Sequence, residues 1–313
     1  MTRPEEDELD EAEGTDEYSE ESLDVDPVDL DLDLEEDDDD GEADDDADSE
    51  ELGAEAGGDE GEGGEAKPKA RKSKVRGNKE EEPEPGDPET PVPSKKKMIS
   101  ALEWAFEGEE EVGPELLERF AQHALMVLDT NRVMNLTAIQ DPREVAAKHY
   151  LDSWRLTRLL PLIAKKVLDL GCGAGFPGVP LALAEPNLSM TLVDSTRKKA
   201  EFVQSCLDEL GVRNARALWD RAEDHLTSER VDIVVVRAVS SVRENIRTVR
   251  KVRHALKDMV MLKGNSWSRE VRAAEREAER LGFKLDTVWE HELPGEMGQR
   301  AVLVYRAPGG HGL

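Results

Sequence analysis

Residues 166–183 read KVLDLGCGAGFPGVPLAL, and no other stretch restricts the fold as tightly. A short apolar run enters a turn holding Gly171, Gly173, Gly175 and Gly178 and leaves it as an apolar helix. That order predicts a buried strand, a tight connection and a helix packed back on the strand, the unit from which parallel sheets are built. Glycines lose more backbone entropy on folding than other residues, so several in one turn point to a ligand lying close against the backbone. Gly173 to Gly178 also spells G-x-G-x-x-G, and Asp194 follows roughly 20 residues later, where a ribose-binding acid belongs in a dinucleotide site.

Two features speak against a dinucleotide. Asp169 stands two residues before Gly171, where its carboxylate would face a pyrophosphate as a like charge. The glycines also begin early, giving D-x-G-x-G-x-G, a wider turn than phosphate binding needs. A ligand carrying an ammonium and a sulfonium meets both points, and S-adenosylmethionine is such a ligand.

Downstream, strand and helix patterns alternate. KVLDLG, MTLVDS, ARALWD, VDIVVVRAV and DMVMLKG read as strands. The intervening helices include TRKKAEFVQSCLDELG, ended by Gly211, ENIRTVRKVRHALK, and SREVRAAEREAERLG, ended by Gly282. KLDTVWEHEL and RAVLVYRAP close the chain as an antiparallel pair. The expected class is α/β, Rossmann-like, a mainly parallel seven-stranded sheet with helices on both faces.

Upstream the period is helical. PELLERFAQHALMVLDTN sets Leu116, Leu117, Phe120, Ala124, Val127 and Leu128 on one face, with Pro114 in the first turn. Asp141 is placed to cap a second helix through REVAAKHYLDSWRLTRLL, and Pro161 marks its limit. The division expected is a tail over 1–97, a helical cap over 98–160, a Rossmann-like domain over 161–308 and a disordered end over 309–313.

Charge separates the tail from the rest. Residues 1–66 carry a net −33, residues 67–97 a net +4 and residues 98–313 a net −2, so the overall −31 belongs to the tail. A segment so acidic, with Tyr18 its one aromatic, buries too little to fold, and disorder is expected. The tail's role stays open between a solubilising extension and a polyanion competing in cis for an RNA-binding surface. Cys172 and Cys206 stand at no metal-ligand spacing. The acidic start and the lack of an apolar run near 18 residues predict a cytoplasmic protein with reduced thiols, no membrane partner and no metal.

NLTAI at 135–139, KHYLDS at 148–153, the glycine turn, LVDSTRKKAEF at 192–202, RAED at 221–224, VVRAVSS at 235–241 and LKG at 262–264 occur in this order. Together they resemble the RsmG (GidB) family, bacterial 16S ribosomal RNA guanine-N7 methyltransferases, over about residues 110–308. The acidic extension departs from that pattern. The resemblance implies the class I methyltransferase fold, S-adenosylmethionine as cofactor and 16S ribosomal RNA or the small ribosomal subunit as partner. It implies a target at guanine 527 of the decoding-region loop.

By the same resemblance the cofactor is held by Gly171, Gly173, Gly175 and Phe176 in the first turn, Asp194 at the ribose, Ala222 and Glu223 at the adenine, and Arg237. RNA contacts fall to Lys198, Lys199, Arg237, Lys263 and Arg300, with the basic run Arg243 to His254 a further candidate face. Read from the residues alone, Phe176 is equally a core residue and Asp194 a helix cap, while His149 and Asp152 could pair on a helix surface. Guanine N7 carries a lone pair and no proton, so no base is expected. Other methyl acceptors, an NAD(P)-dependent oxidoreductase and a non-catalytic RNA-binding module remain alternatives.

Overall fold

The computed structural model describes residues 90–308 of the 313. The expectations for residues 1–89 of the tail, including its acidic and basic blocks, and for residues 309–313 lie outside the described residues. Helix α1 (Lys95–Ala105) begins three residues before the boundary set at Met98, because the Ser94 hydroxyl accepts the Lys97 N–H and starts the helix there. Helix α2 (Pro114–Asn131) has Pro114 in its first turn and buries Leu117, Phe120, Ala124, Val127 and Leu128 as its period requires. His123 and Asn131 lie buried on the same side.

Asp141 caps α3 (Pro142–Val145), its Oδ1 accepting from the N–H groups of Arg143 (2.9 Å) and Glu144 (3.1 Å). The helix does not stay α-helical. It widens into a π-helical turn over Ala146–Leu151 before α4 (Asp152–Trp154) and α5 (Leu156–Leu159). Such turns shift side chains off the α-helical register and are common at functional sites.

Seven strands follow: β1 (Lys166–Leu170), β2 (Ser189–Asp194), β3 (Ala215–Trp219), β4 (Ile233–Arg237), β5 (Asp258–Lys263), β6 (Lys284–Glu292) and β7 (Gln299–Arg306). Their order is β3-β2-β1-β4-β5-β7-β6. The first five are parallel, and β7 runs antiparallel between β5 and β6. The expected sheet and its closing hairpin are both present. Successive crossovers leave β1 and β4 in opposite directions, so the carboxyl ends of these neighbours flank a switch point, where open α/β sheets bind ligands.

Strand alternation sorts the side chains into two layers. Val167, Ile233, Val235, Val260 and Leu262 share a core with α1, α2, α6 (Gly178–Ala184) and α7 (Arg197–Glu209). Leu168, Leu170, Val234, Val236, Met259 and Met261 pack with α8 (Ala222–Ser228), α9 (Val242–Thr248) and α10 (Trp267–Leu281). The helical block and one sheet face thus form a single core, with Phe120, Tyr150 and Trp154 beside Phe176 and Leu181.

One helix is shorter than its pattern. ENIRTVRKVRHALK continues only to Thr248, then turns into a 3-10 segment at Arg253–Ala255. Arg250 Nη1 donates to the Arg247 carbonyl (2.9 Å) and Arg253 Nη1 to the Arg250 carbonyl (2.6 Å), so arginine side chains satisfy carbonyls that a longer helix would have bonded. The basic run Arg243 to His254 is therefore not one helical face.

Candidate active site at the carboxyl edge of the sheet

Parity along β1 decides where Asp169 goes. It shares the side of Val167, facing α6, and is fully buried. Its Oδ2 accepts the Gly178 N–H at 2.9 Å, which ties the far end of the glycine turn back to the strand. Its Oδ1 is buried and has no partner among the described residues. Burial pushes this carboxyl up to about 7, against the opposing pull of the Gly178 N–H and the Arg237 charge.

Within the turn, Gly173 holds φ at +54°, and a Cβ there would meet nothing closer than the Gly171 carbonyl at 4.0 Å. The open side of the turn lies at this residue. Gly175 is different. It is buried, and a Cβ would press against Val179 at 2.7 Å and His123 at 3.3 Å, so packing against the helical block requires a glycine. Val239, 44% exposed, lies over Gly171, where an added Cβ would come within 2.7 Å of it.

Asp194 ends β2 on the same side of the sheet. Its Oδ2 accepts the Gly173 N–H (3.0 Å) and its Oδ1 the Thr196 N–H (2.8 Å), so it braces the first turn and starts α7. Its bond to the Thr196 N–H is the part of the helix-start reading that the structure contains, and Thr196 itself supplies no side-chain cap. Ala222 opens α8 directly after β3, leaving its N–H among the first-turn amides without intrahelical acceptors. Glu223 is half-buried and 3.7 Å from Arg221.

Arg237 ends β4 with the parity of Ile233 and Val235, so its side chain reaches the helical block. Nη2 donates to His149 Nδ1 at 2.6 Å. Arginine can only donate, so Nδ1 accepts and the imidazole proton sits on Nε2, which donates to Thr137 Oγ1 at 2.9 Å. Burial, then the Arg237 charge, holds His149 well below the usual histidine range. Nη1 of Arg237 is buried and without a partner among the described residues. Ala238, the next residue, turns the chain with φ at +52°.

Phe176 is buried at the centre of this contact. His149 stacks on it at 4.5 Å, Tyr150 and His123 stand at 5.2 and 5.3 Å, and the Arg237 guanidinium lies 5.7 Å from its centroid. Tyr150 OH and His123 Nδ1 share a hydrogen bond of 2.9 Å, and burial pushes His123 down to about 3. These distances describe the core contact expected of Phe176.

The expected surface pair of His149 and Asp152 does not form. Both residues are buried and face different partners, because the π-helical turn sets them apart. Asp152 Oδ1 lies 3.2 Å from His291 Nε2 and Oδ2 3.7 Å from Arg300 Nε. Arg300 thus reaches the helical block, whereas Lys263, of opposite parity, points toward α10. Its Nζ donates to Glu270 and to the Ser240 carbonyl, both at 2.7 Å. Lys198 is exposed and Lys199 half-buried at the start of α7. Beside them Arg197 lies over the exposed ring of Trp219 at 5.6 Å.

Sequence reading missed His123 and Tyr150, although His123 falls on the buried stripe between Phe120 and Val127. Cys172 and Cys206 are buried free thiols, and no group of His, Cys, Asp and Glu among the described residues is arranged to hold a metal. No described helix is long and apolar enough to cross a membrane.

Beside the glycine turn, Asp169 Oδ1 and Arg237 Nη1 are buried and unpartnered among the described residues, as is His123 Nε2, and the first two are a charged acceptor and a charged donor near enough to feel each other's charge. An α-amino acid group satisfies both at once, its ammonium at the carboxylate and its carboxylate at the guanidinium, which a diphosphate cannot do. The methionine end of S-adenosylmethionine therefore fits these residues.

The family model for rRNA small subunit methyltransferase G matches residues 116–296. The ribosomal RNA small subunit methyltransferase G of Solibacter usitatus is 40% identical over 192 residues, 59% of this chain and 88% of that protein. Its counterpart in Carboxydothermus hydrogenoformans is 32% identical over 196 residues, 61% and 83% of the two chains. That of Trichormus variabilis is 46% identical over 134 residues, 39% and 54%. On this match, with the glycine turn and its flanking charges at the switch point, the chain belongs to the rRNA small subunit methyltransferase G family.

Proposed function

We propose that the chain methylates N7 of a guanine in 16S ribosomal RNA, at the position equivalent to guanine 527, with S-adenosylmethionine as methyl donor. The carrying observation is the oppositely charged pair of unpartnered atoms, Asp169 Oδ1 and Arg237 Nη1, beside a glycine turn in a chain of this family. Bound there, the cofactor supplies an electrophilic methyl group on a sulfonium. Asp169 binds the ammonium and Arg237 the carboxylate, while Gly171 and Gly173 admit the chain of the ligand. Asp194 takes the ribose hydroxyls on its remaining lone pairs, and Ala222 with Glu223 takes the adenine.

The choice of N7 draws support from how the imidazole beside Arg237 is used. Both ring nitrogens of His149 are bonded, and the ring is held neutral, so it serves as a strut for Arg237 and not as a base. An acceptor with a free lone pair needs orientation and charge placement alone. Lys198 and Lys199 are placed to meet RNA phosphate. Lys263 and Arg300, bound to Glu270 and Asp152, shape the edge where the base enters.

The test is strand scission at N7-methylguanine in 16S ribosomal RNA from a strain lacking the chain and from its complemented parent. Loss of one cleavage in the decoding-region loop, restored by the wild-type gene and not by an Arg237→Met variant, is expected. An unchanged cleavage pattern overturns the assignment. Stabilisation by S-adenosylhomocysteine and not by NAD separates this reading from an oxidoreductase.

A further inference from the structure

Between α9 and α10 runs a groove lined by Arg243, Arg272 and Arg276 together with Ala273, Glu275 and Glu277. None of the three arginines has a carboxylate partner among the described residues. Glu277 is already engaged by Arg247 Nε at 3.0 Å and Arg280 Nη2 at 2.6 Å. Glu275 has no ion-pair or hydrogen-bond partner among the described residues, so three guanidinium groups and one unpaired carboxylate line the groove. Like charges gathered on one groove repel, and an anion lying among them relieves the repulsion while taking forked hydrogen bonds from each.

The groove's place in the fold says which anion. Helices α9 and α10 follow β4 and β5, so both start at the carboxyl edge of the sheet. The methyl-donor site takes Asp169 from β1, Asp194 from the end of β2 and Arg237 from the end of β4, which leaves the β5 side of that edge, beyond Arg237, to the methyl acceptor. Arg269, Arg272 and Arg276 recur at helical spacing on the solvent side of α10, opposite buried Ala274 and Ala278. Seven residues of helix carry that stripe about 10 Å away from the edge. The described part of the chain is close to neutral, so nucleic-acid binding requires its basic groups to be gathered locally.

We propose that the α9–α10 groove binds the phosphodiester backbone of the substrate RNA beside the target nucleotide, with Arg243, Arg272 and Arg276 as its phosphate contacts. This rests on the reading of the chain as an RNA methyltransferase. A second basic cluster, with Lys166, Arg213 and Arg230, lies at the opposite edge of the sheet. It supplies a charge-matched control.

The experiment compares the full chain, an R243Q/R272Q/R276Q variant and a K166Q/R213Q/R230Q variant. Binding of a 16S decoding-region RNA fragment is followed by anisotropy across a salt series, and S-adenosylhomocysteine binding by calorimetry. Each lost phosphate contact removes about 0.7–0.9 from the slope of log K against log salt, so the groove variant should lose about 2–3. Its KM for RNA should rise at least tenfold with kcat at saturating RNA, cofactor affinity and Tm unchanged. The control variant should stay within about twofold of wild type. An unchanged slope in the groove variant, or an equal loss in the control, overturns the proposal. Wild-type chain that binds S-adenosylhomocysteine yet neither binds nor methylates the RNA overturns the functional reading itself, and the groove assignment with it.

Discussion

Asp169→Asn tests the charge that the fold has buried beneath the glycine turn. With its pKa raised from 3.8 to about 7, the carboxyl loses about 4 kcal/mol of folding stability once both states are ionised. The sign follows from which state binds the proton more tightly. Below pH 4 folded and unfolded chains both keep it and nothing is lost. Between pH 4 and 7 the unfolded chain ionises first, so stability falls, and above pH 7 the loss is constant. Asparagine keeps the acceptor for the Gly178 N–H and cannot ionise. Its amide inherits the unpartnered position of Oδ1, which takes back about 1–3 kcal/mol. A net gain of about 1–3 kcal/mol at pH 8 remains, a Tm rise of roughly 2–12 °C, with no gain at pH 4. Cofactor binding should move the other way, because the ammonium loses its counter-charge. Wild-type affinity for S-adenosylhomocysteine should strengthen as pH rises toward 7, and the variant should bind at least tenfold more weakly with a flat profile. Scanning calorimetry and titration calorimetry at both pH values decide it. A variant no more stable at pH 8 that binds the ligand as well as wild type would refute the reasoning.

Other perturbations have equally definite outcomes. Phe176→Ala removes the ring on which His149, Tyr150, His123 and Arg237 converge, and denaturant unfolding should show a loss of about 3–5 kcal/mol. Arg237→Met should abolish methyl transfer and raise the His149 pKa without restoring it to the normal range, since burial is the larger cause, as NMR titration can follow. Asp152→Ala leaves His291 and Arg300 without their carboxylate, and melting should show a loss of about 3–5 kcal/mol. Ala238→Gly relieves a left-handed φ of +52° and should leave stability equal or up to about 1 kcal/mol higher in the same assay.

The features legible in the sequence are those set by neighbours in the chain. The glycine turn, the capping by Asp141, the first turn at Pro114, the closing hairpin and the position of Arg237 at the end of a buried strand all follow from local pattern. What escaped depends on partners far along the chain. Phe176 looked like either cofactor lining or core, and its core contacts come from rings on α2 and on the π-helical turn that local pattern does not show. That turn is also why His149 and Asp152, three residues apart, meet different partners. Lys263 and Arg300 stand at one sheet edge and looked alike. A single step of strand parity sends one toward α10 and the other to the helical block. The helix through Arg243 ends at Thr248, and past it arginine side chains bond the carbonyls of Arg247 and Arg250, local contacts that periodicity does not register.

The most direct test incubates purified chain with S-adenosylmethionine labelled in the methyl group and small-subunit RNA, then identifies the labelled nucleoside by mass spectrometry. The account predicts label in N7-methylguanosine at one site, lost in the Arg237→Met variant and reduced at sub-saturating S-adenosylmethionine in the Asp169→Asn variant. Label at another atom or base, or none while the ligand is bound, would contradict it.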